Sequence, residues 1–242
     1  MTTKKVAHRT VARRPMRKSK PQPRAQRRGA RRGDTTRHAI VEAAERCFAE
    51  RGFDGVSLRA ITQAAGVDLA LANYHFGSKD NLLRAVIVRR ARVVHEDRVR
   101  ALEAARHEAG TKSPSVEAIV AAFLGPLLRR LIAGDRGWRR YGRLVSQLDV
   151  LPQFAALTGE VLDPTALHFI NALRLALPKT PAPSIYWGYM FLIGSMVQVI
   201  SATGRIERLS RDLCRSNDIE GALRELVPFI SAGMRALASR SG

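Results

Sequence analysis

Between Ser57 and Lys79 the chain sets two short helix-forming runs either side of a single glycine, a spacing that leaves few folds open. Ser57 offers a hydroxyl to the free amides of a helix carrying Leu58, Ile61 and Ala65, and Gly66 stops that helix. Val67 and Asp68 restart the chain at once, with Asp68 placed to cap a further short helix running through about Tyr74. Upstream, Asp34 or Thr35 can cap a helix in which Ile40, Ala43, Ala44, Cys47 and Phe48 recur at helical spacing until Gly52 ends it. Two short helices joined by a glycine-bearing turn, with a supporting helix before them, make a helix-turn-helix pattern.

Gly77 and Ser78 break and recap the chain, and a long polar, basic helix is expected from about Lys79 towards Ala109. Beyond Gly110 and Pro114 the periodicity becomes apolar and predicts helices over 116–132, 138–148, 154–177, 184–206 and 219–238, with a proline-marked loop at Pro178, Pro181 and Pro183. No segment alternates as a strand does. Residues 184–204 carry no charge and approach membrane-spanning length. Their Ser184, Gly188, Gly194, Ser195, Gln198, Ser201 and Thr203 suit a helix buried in protein better, so no membrane partner is expected.

The net charge of +20 is concentrated at one end. Residues 1–33 hold 13 Lys or Arg and no acid, leaving +7 for the rest. With Pro15, Pro21 and Pro23 and almost no apolar periodicity, this segment reads as a disordered basic arm that attracts phosphate in a salt-sensitive way. Its Arg24, Arg27, Arg28, Arg31 and Arg32 would reach along a duplex backbone or into a minor groove. Cys47 and Cys214 lie far apart, which argues against a disulfide framework and fits a reducing cytoplasm. No dinucleotide or phosphate-binding glycine motif, no His-Glu-x-x-His and no nucleophile–base set occurs, and the six histidines are scattered. The expectation is a protein that is not an enzyme, with no cofactor and no metal.

The stretch 57–79 also carries chemistry suited to DNA. Leu58, Ile61, Val67, Leu71 and Phe76 form an apolar inner set; Ala70 and Ala72 would let the backbone near a groove. Asn73 can pair with an adenine edge, while Tyr74, His75 and Lys79 can hold phosphates.

From about Thr36 to Val88 the sequence resembles the TetR family of transcription regulators. The marks are Ala43-Ala44, Cys47-Phe48-Ala49-Glu50-Arg51-Gly52-Phe53, Ser57-Leu58-Arg59-Ala60-Ile61, and Asn73-Tyr74-His75-Phe76-Gly77-Ser78-Lys79-Asp80-Asn81-Leu82. The Asn-Tyr-His-Phe-Gly-Ser-Lys form looks most like a branch that includes fatty-acid-responsive repressors. The resemblance implies that Arg59, Leu69, Ala70 and Asn73 face bases while Tyr74, His75 and Lys79 clamp the backbone. Leu69 and Ala70 lack hydrogen-bonding side chains, which puts direct readout on Arg59 and Asn73. It implies a homodimer through the last two long helices, with Gly188, Gly194 and Ser195 allowing close crossing and a neighbour covering Trp187, Met190, Phe191 and Met196. Two recognition helices about 34–36 Å apart would then read a palindromic operator.

The expected fold class is all-α: a basic arm (1–33), a three-helix helix-turn-helix DNA-binding domain (34–82) and a larger helical ligand-binding and dimerisation domain (83–242). In the last, Phe123, Leu127, Leu128, Tyr141, Leu148, Phe169, Leu173, Trp187 and Phe191 would line a pocket for a small apolar or amphipathic effector, with Arg139, Arg143 or His168 at its polar end. The function expected is a cytoplasmic, nucleoid-associated, ligand-responsive repressor on double-stranded operator DNA. The alternative is a non-specific architectural DNA-binding protein.

Overall fold

The computed structural model describes residues 24–239, with side chains described over 33–238. Two compact units are distinguished, Met1–Thr35 and Thr36–Gly242. The described residues contain no strand. Ten helices follow in order: α1 (Arg24–Arg51), α2 (Leu58–Ala65), α3 (Leu69–Phe76), α4 (Lys79–Ala109), α5 (Val116–Ile132), α6 (Arg136–Asp149), α7 (Ala155–Ala176), α8 (Ala182–Ser201), α9 (Arg205–Ser210) and α10 (Ile219–Ser239). A 3-10 turn at Pro152–Phe154 leads into α7.

Side-chain caps set the boundaries of the short helices. The Ala60 amide donates to Ser57 Oγ at 3.1 Å, and the Ala70 amide to the Asp68 carboxylate at 2.7 Å. The Asn81 amide donates to Ser78 Oγ at 3.1 Å. Gly66 ends α2 with φ 66°, a left-handed conformation that costs glycine little.

Two boundaries differ from expectation. Residues 24–33 are helical rather than part of the disordered arm, and α1 passes Asp34 and Thr35 without a break. Arg, Gln and Ala are good helix formers, so a helix already nucleated over the apolar turns of α1 extends through them at low cost. Residues 1–23 of the arm, and the side chains of Arg24, Arg27, Arg28, Arg31 and Arg32, lie outside the described residues. The helix expected over 184–206 is two helices, because Ala202 and Gly204 both take positive φ (42° and 69°) and turn the chain between α8 and α9.

The helix-turn-helix head is tied to the rest by a buried carboxylate. Glu45 on α1 accepts hydrogen bonds from Arg89 Nη2 (3.0 Å), Arg90 Nε (2.8 Å) and Arg90 Nη2 (2.9 Å) on α4. Arg90 also lies 4.7 Å from the Trp138 ring centroid on α6, and Arg130 of α5 lies 4.4 Å from it. Gly137 has no room for a side chain because the Arg90 guanidinium occupies that space. Beyond this joint, α4 packs on α5 and α7, and α10 packs on α5 and α8. Removing one partner of a buried, hydrogen-bonded ion pair strands the others, so Glu45→Ala should lower unfolding free energy by about 3 kcal/mol. Urea denaturation followed by circular dichroism measures it; a loss under about 1 kcal/mol would mean that Arg89 and Arg90 find other partners or water.

Candidate nucleic-acid interface

α3 is an eight-residue helix with one face spent on the core. Ala72 and Phe76, four residues apart, are buried, while Leu69, Ala70, Asn73 and Tyr74 are exposed. Tyr74 is 84% exposed and its ring lies 5.2 Å from that of the half-buried His75, edge to face. Arg59 on α2 is also exposed. All seven expected contact residues therefore keep at least part of the side chain accessible, six of them on α2 and α3.

Lys79 is differently placed. Its ammonium donates to the carbonyls of Phe53 (3.0 Å) and Val56 (3.2 Å) and lies 4.0 Å from the Phe53 ring centroid. It pins the loop between α1 and α2 to the start of α4, so most of its hydrogen-bonding capacity is committed within the protein. The inner set is also corrected. Leu71 is 40% exposed, and Ala72, expected near the groove, is fully buried. At 100° per residue the Phe76 face includes position 72, not 71. Leu71 thus adds apolar surface beside the expected contacts.

The interior holds a cavity of about 190 Å³ bounded by α4, α5, α6, α7 and α8. Phe123, Leu127 and Tyr141 line it. Phe169 is buried behind it, edge-on to Phe123 with centroids 5.0 Å apart, and Leu128, Leu148 and Leu173 are core. Trp187 and Phe191 do not line it. They are 63% and 56% exposed and stack on each other on the outer face of α8. Arg139 and Arg143 line a separate cleft of about 570 Å³ with Arg140 and residues 216–220, and His168 is exposed with Nδ1 3.2 Å from the Pro164 carbonyl. The cation that does reach the cavity is Arg98 of α4, which the sequence reading passed over. Its signal was its register: Ile87, Ala91, Val94, Arg98 and Leu102 form one inward stripe in which only Arg98 is charged.

Arg98 is held down to about 10 by burial, partly offset by Tyr189 and Tyr141, and so remains a cation at neutral pH. Burial pushes the Tyr141 phenol up to about 12, against the opposing pull of Arg98 and Arg90. It also raises Tyr189, and raises the Asp149 carboxyl at the cavity rim. No group of three or more metal-ligating side chains occurs among the described residues.

Residues 40–86 match the model for bacterial regulatory proteins of the tetR family, and residues 121–233 match that for the tetracyclin repressor-like C-terminal domain. The HTH-type transcriptional repressor AcnR of Corynebacterium glutamicum is 39% identical over 66 residues, 26% of this chain and 35% of its own length. The HTH-type transcriptional regulatory protein RaaS of Mycobacterium tuberculosis is 57% identical over 53 residues, 22% of this chain and 24% of its own. The match thus spans roughly a quarter to a third of these curated relatives. A tetR family regulator structure from Shewanella sp. PV-4 superposes with TM-score 0.56 at 15% identity, covering 80% of this chain and 97% of that one. Salmonella enterica GusR gives 0.50 at 21% identity, covering 83% and 95%. At such identities these two likenesses speak for the fold alone. With both family models matched in order over more than half its length, the chain belongs to the TetR family of bacterial regulatory proteins.

Proposed function

We propose that this protein is a sequence-specific transcriptional regulator, a ligand-responsive repressor that binds a palindromic operator as a dimer. The observation that carries the reading is α3 itself: a capped helix whose outer face presents Leu69, Ala70, Asn73 and Tyr74 within the segment matched to the family's DNA-binding model. Small side chains admit the helix to a major groove, and Asn73 and Arg59 supply hydrogen bonds to base edges. Tyr74 and His75 hold the flanking phosphates. Lys79 contributes by fixing the loop before α2, and the basic arm adds a salt-sensitive pull on the duplex.

The dimer reading draws on α8 and α10. The chain leaves Tyr186, Trp187, Met190 and Phe191 exposed along one face of α8 and Phe229 exposed on α10. α8 is long and apolar enough to cross a membrane, yet only 28% of its most apolar window is buried by its own chain. Its opposite face, with Gly188, Tyr189, Leu192 and Met196, is buried, and Gly188 approaches Met234 and Leu237 of α10. That pattern fits a helix covered on one side by its own protein and on the other by a second copy. Gly188 and Met196 serve packing within the chain, and Gly194, with open space around it, is the small residue left for a crossing between copies.

Selecting genomic fragments with the full-length protein at near-physiological salt tests the main reading. A palindromic site is expected; uniform recovery of fragments would favour the architectural alternative. On that site Asn73→Ala should cost about 1–3 kcal/mol and relax preference at one position per half-site. Lys79→Met should lower Tm while leaving the salt slope of binding unchanged. A slope reduced by about 0.9 per subunit would restore Lys79 as a phosphate clamp. Trp187→Glu should convert the dimer to monomer in analytical ultracentrifugation, and a dimer of unchanged affinity would move the interface off α8.

A further inference from the structure

Arg98 is a buried cation without an anion. Its Nε donates to the Phe123 carbonyl at 2.7 Å, its Nη2 approaches Met196 Sδ at 3.5 Å, and its guanidinium carbon lies 3.7 Å from the Phe123 ring centroid. Its hydrogen bonds among the described residues go to a carbonyl and a thioether, and no carboxylate pairs with it. The bond to Phe123 lies beside a weak point of α5, because Pro126 lacks the amide hydrogen that would bond the Ala122 carbonyl one residue earlier. That bond uses one of five N–H groups and needs no full charge. A buried guanidinium with no direct ion pair is costly, and a counter-ion from outside the chain lowers that cost.

The cavity beside it sets the size and character of what brings that anion. Much of its wall is aromatic and aliphatic, with Phe123, Leu127, Tyr141, Val145, Tyr189 and Ile193. An apolar cavity of roughly 150 Å³ takes benzene, so about 190 Å³ suits one substituted ring or a short chain. Asp149 and Asp163 also line the cavity; both side chains keep exposed atoms, yet burial raises the Asp149 carboxyl and both charges act on Tyr189 in the cavity wall, and neither forms an ion pair with Arg98. A cationic guest small enough to enter would meet the buried guanidinium at short range and be repelled by it, while the two carboxylates offer it only one side of the lining.

We propose that the effector is a small organic carboxylate: its head pairs with Arg98, and its ring or short chain lies against Phe123, Leu127 and Tyr141. The inference rests on the ligand-responsive reading above and names the class of ligand for it. The carboxylate takes the N–H groups that the protein leaves unused, in the forked geometry that guanidinium and carboxylate share.

Calorimetric titration of the full-length protein with benzoate, phenylacetate and octanoate, each beside its own amide, tests it. At least one acid should bind about 30-fold more tightly than its amide, the difference expected when a buried charge gains its counter-ion. Arg98→Gln should abolish that difference and Arg98→Lys should retain part of it; the comparison in the unmodified protein stands even if a variant fails to fold. Equal binding of acid and amide, preferential binding of benzylamine, or no binding by any acid would overturn the proposal. Release of operator DNA is read separately. An acid that binds without releasing DNA leaves the anion site standing and removes the regulatory reading, whereas release by neutral compounds alone keeps regulation and removes the carboxylate.

Discussion

The Glu45 carboxylate, clamped by Arg89 and Arg90, is the constraint on which the rest of the molecule depends, because it fixes the angle at which the helix-turn-helix head meets the helical body. The pair is buried, so its net worth depends on geometry. Three short hydrogen bonds from two guanidiniums satisfy the carboxylate, and Glu42, 3.8 Å from Arg89, balances the second positive charge. A surface ion pair would leave the head free to rock; this one resists it, since any change of angle must strand a desolvated charge. An arrangement of that kind is stiff rather than soft.

The same joint touches the cavity. Arg90 stacks on Trp138, Trp138 meets Tyr141 edge-on with centroids 5.8 Å apart, and Tyr141 lines the cavity wall. A guest that displaces Tyr141 therefore has a contiguous path through α6 and Arg90 to Glu45 on α1. Gly137 allows the guanidinium to sit against the start of α6, where Asp135 caps the helix with its carboxyl held below the usual carboxylate range by the Trp138 and Gly137 amides. A small rotation of α6 would move that cap and Arg90 together. In the proposed dimer the half-sites would lie one duplex turn apart, so a modest change in head angle would be enough to spoil simultaneous engagement.

Much of this was legible in the sequence, and the reasons divide by range. The head was read nearly residue by residue because caps and glycines act locally: Ser57, Gly66, Asp68 and Ser78 each do in the structure what their positions imply. The interior was less legible, because lining a cavity is decided by tertiary register. Phe123, Leu127 and Tyr141 point inward and Trp187 and Phe191 outward, although all five are apolar residues on helices of similar pattern. Lys79 is expected on phosphate from its type and from the family resemblance, and its ammonium also binds two carbonyls more than twenty residues earlier. Such a contact leaves no mark in the local pattern.

Arg98 marks the boundary between the two kinds of legibility. Its place in the stripe of Ile87, Ala91, Val94 and Leu102 is a one-dimensional fact, and the rule that buried charges are paired makes it a question the sequence can pose. The answer needs the fold, which brings Phe123 and Met196 within hydrogen-bond reach and leaves the cavity's Asp149 and Asp163 without an ion pair to it. An arginine serving only to steady the Pro126 turn would be replaceable by a neutral donor at a gain in stability, since its charge is a liability in the empty cavity. Retaining the charge makes sense if the occupied state matters more than the empty one. The head joint and the buried guanidinium then form one design, in which a desolvated charge at one end waits for a partner and a desolvated pair at the other end feels its arrival.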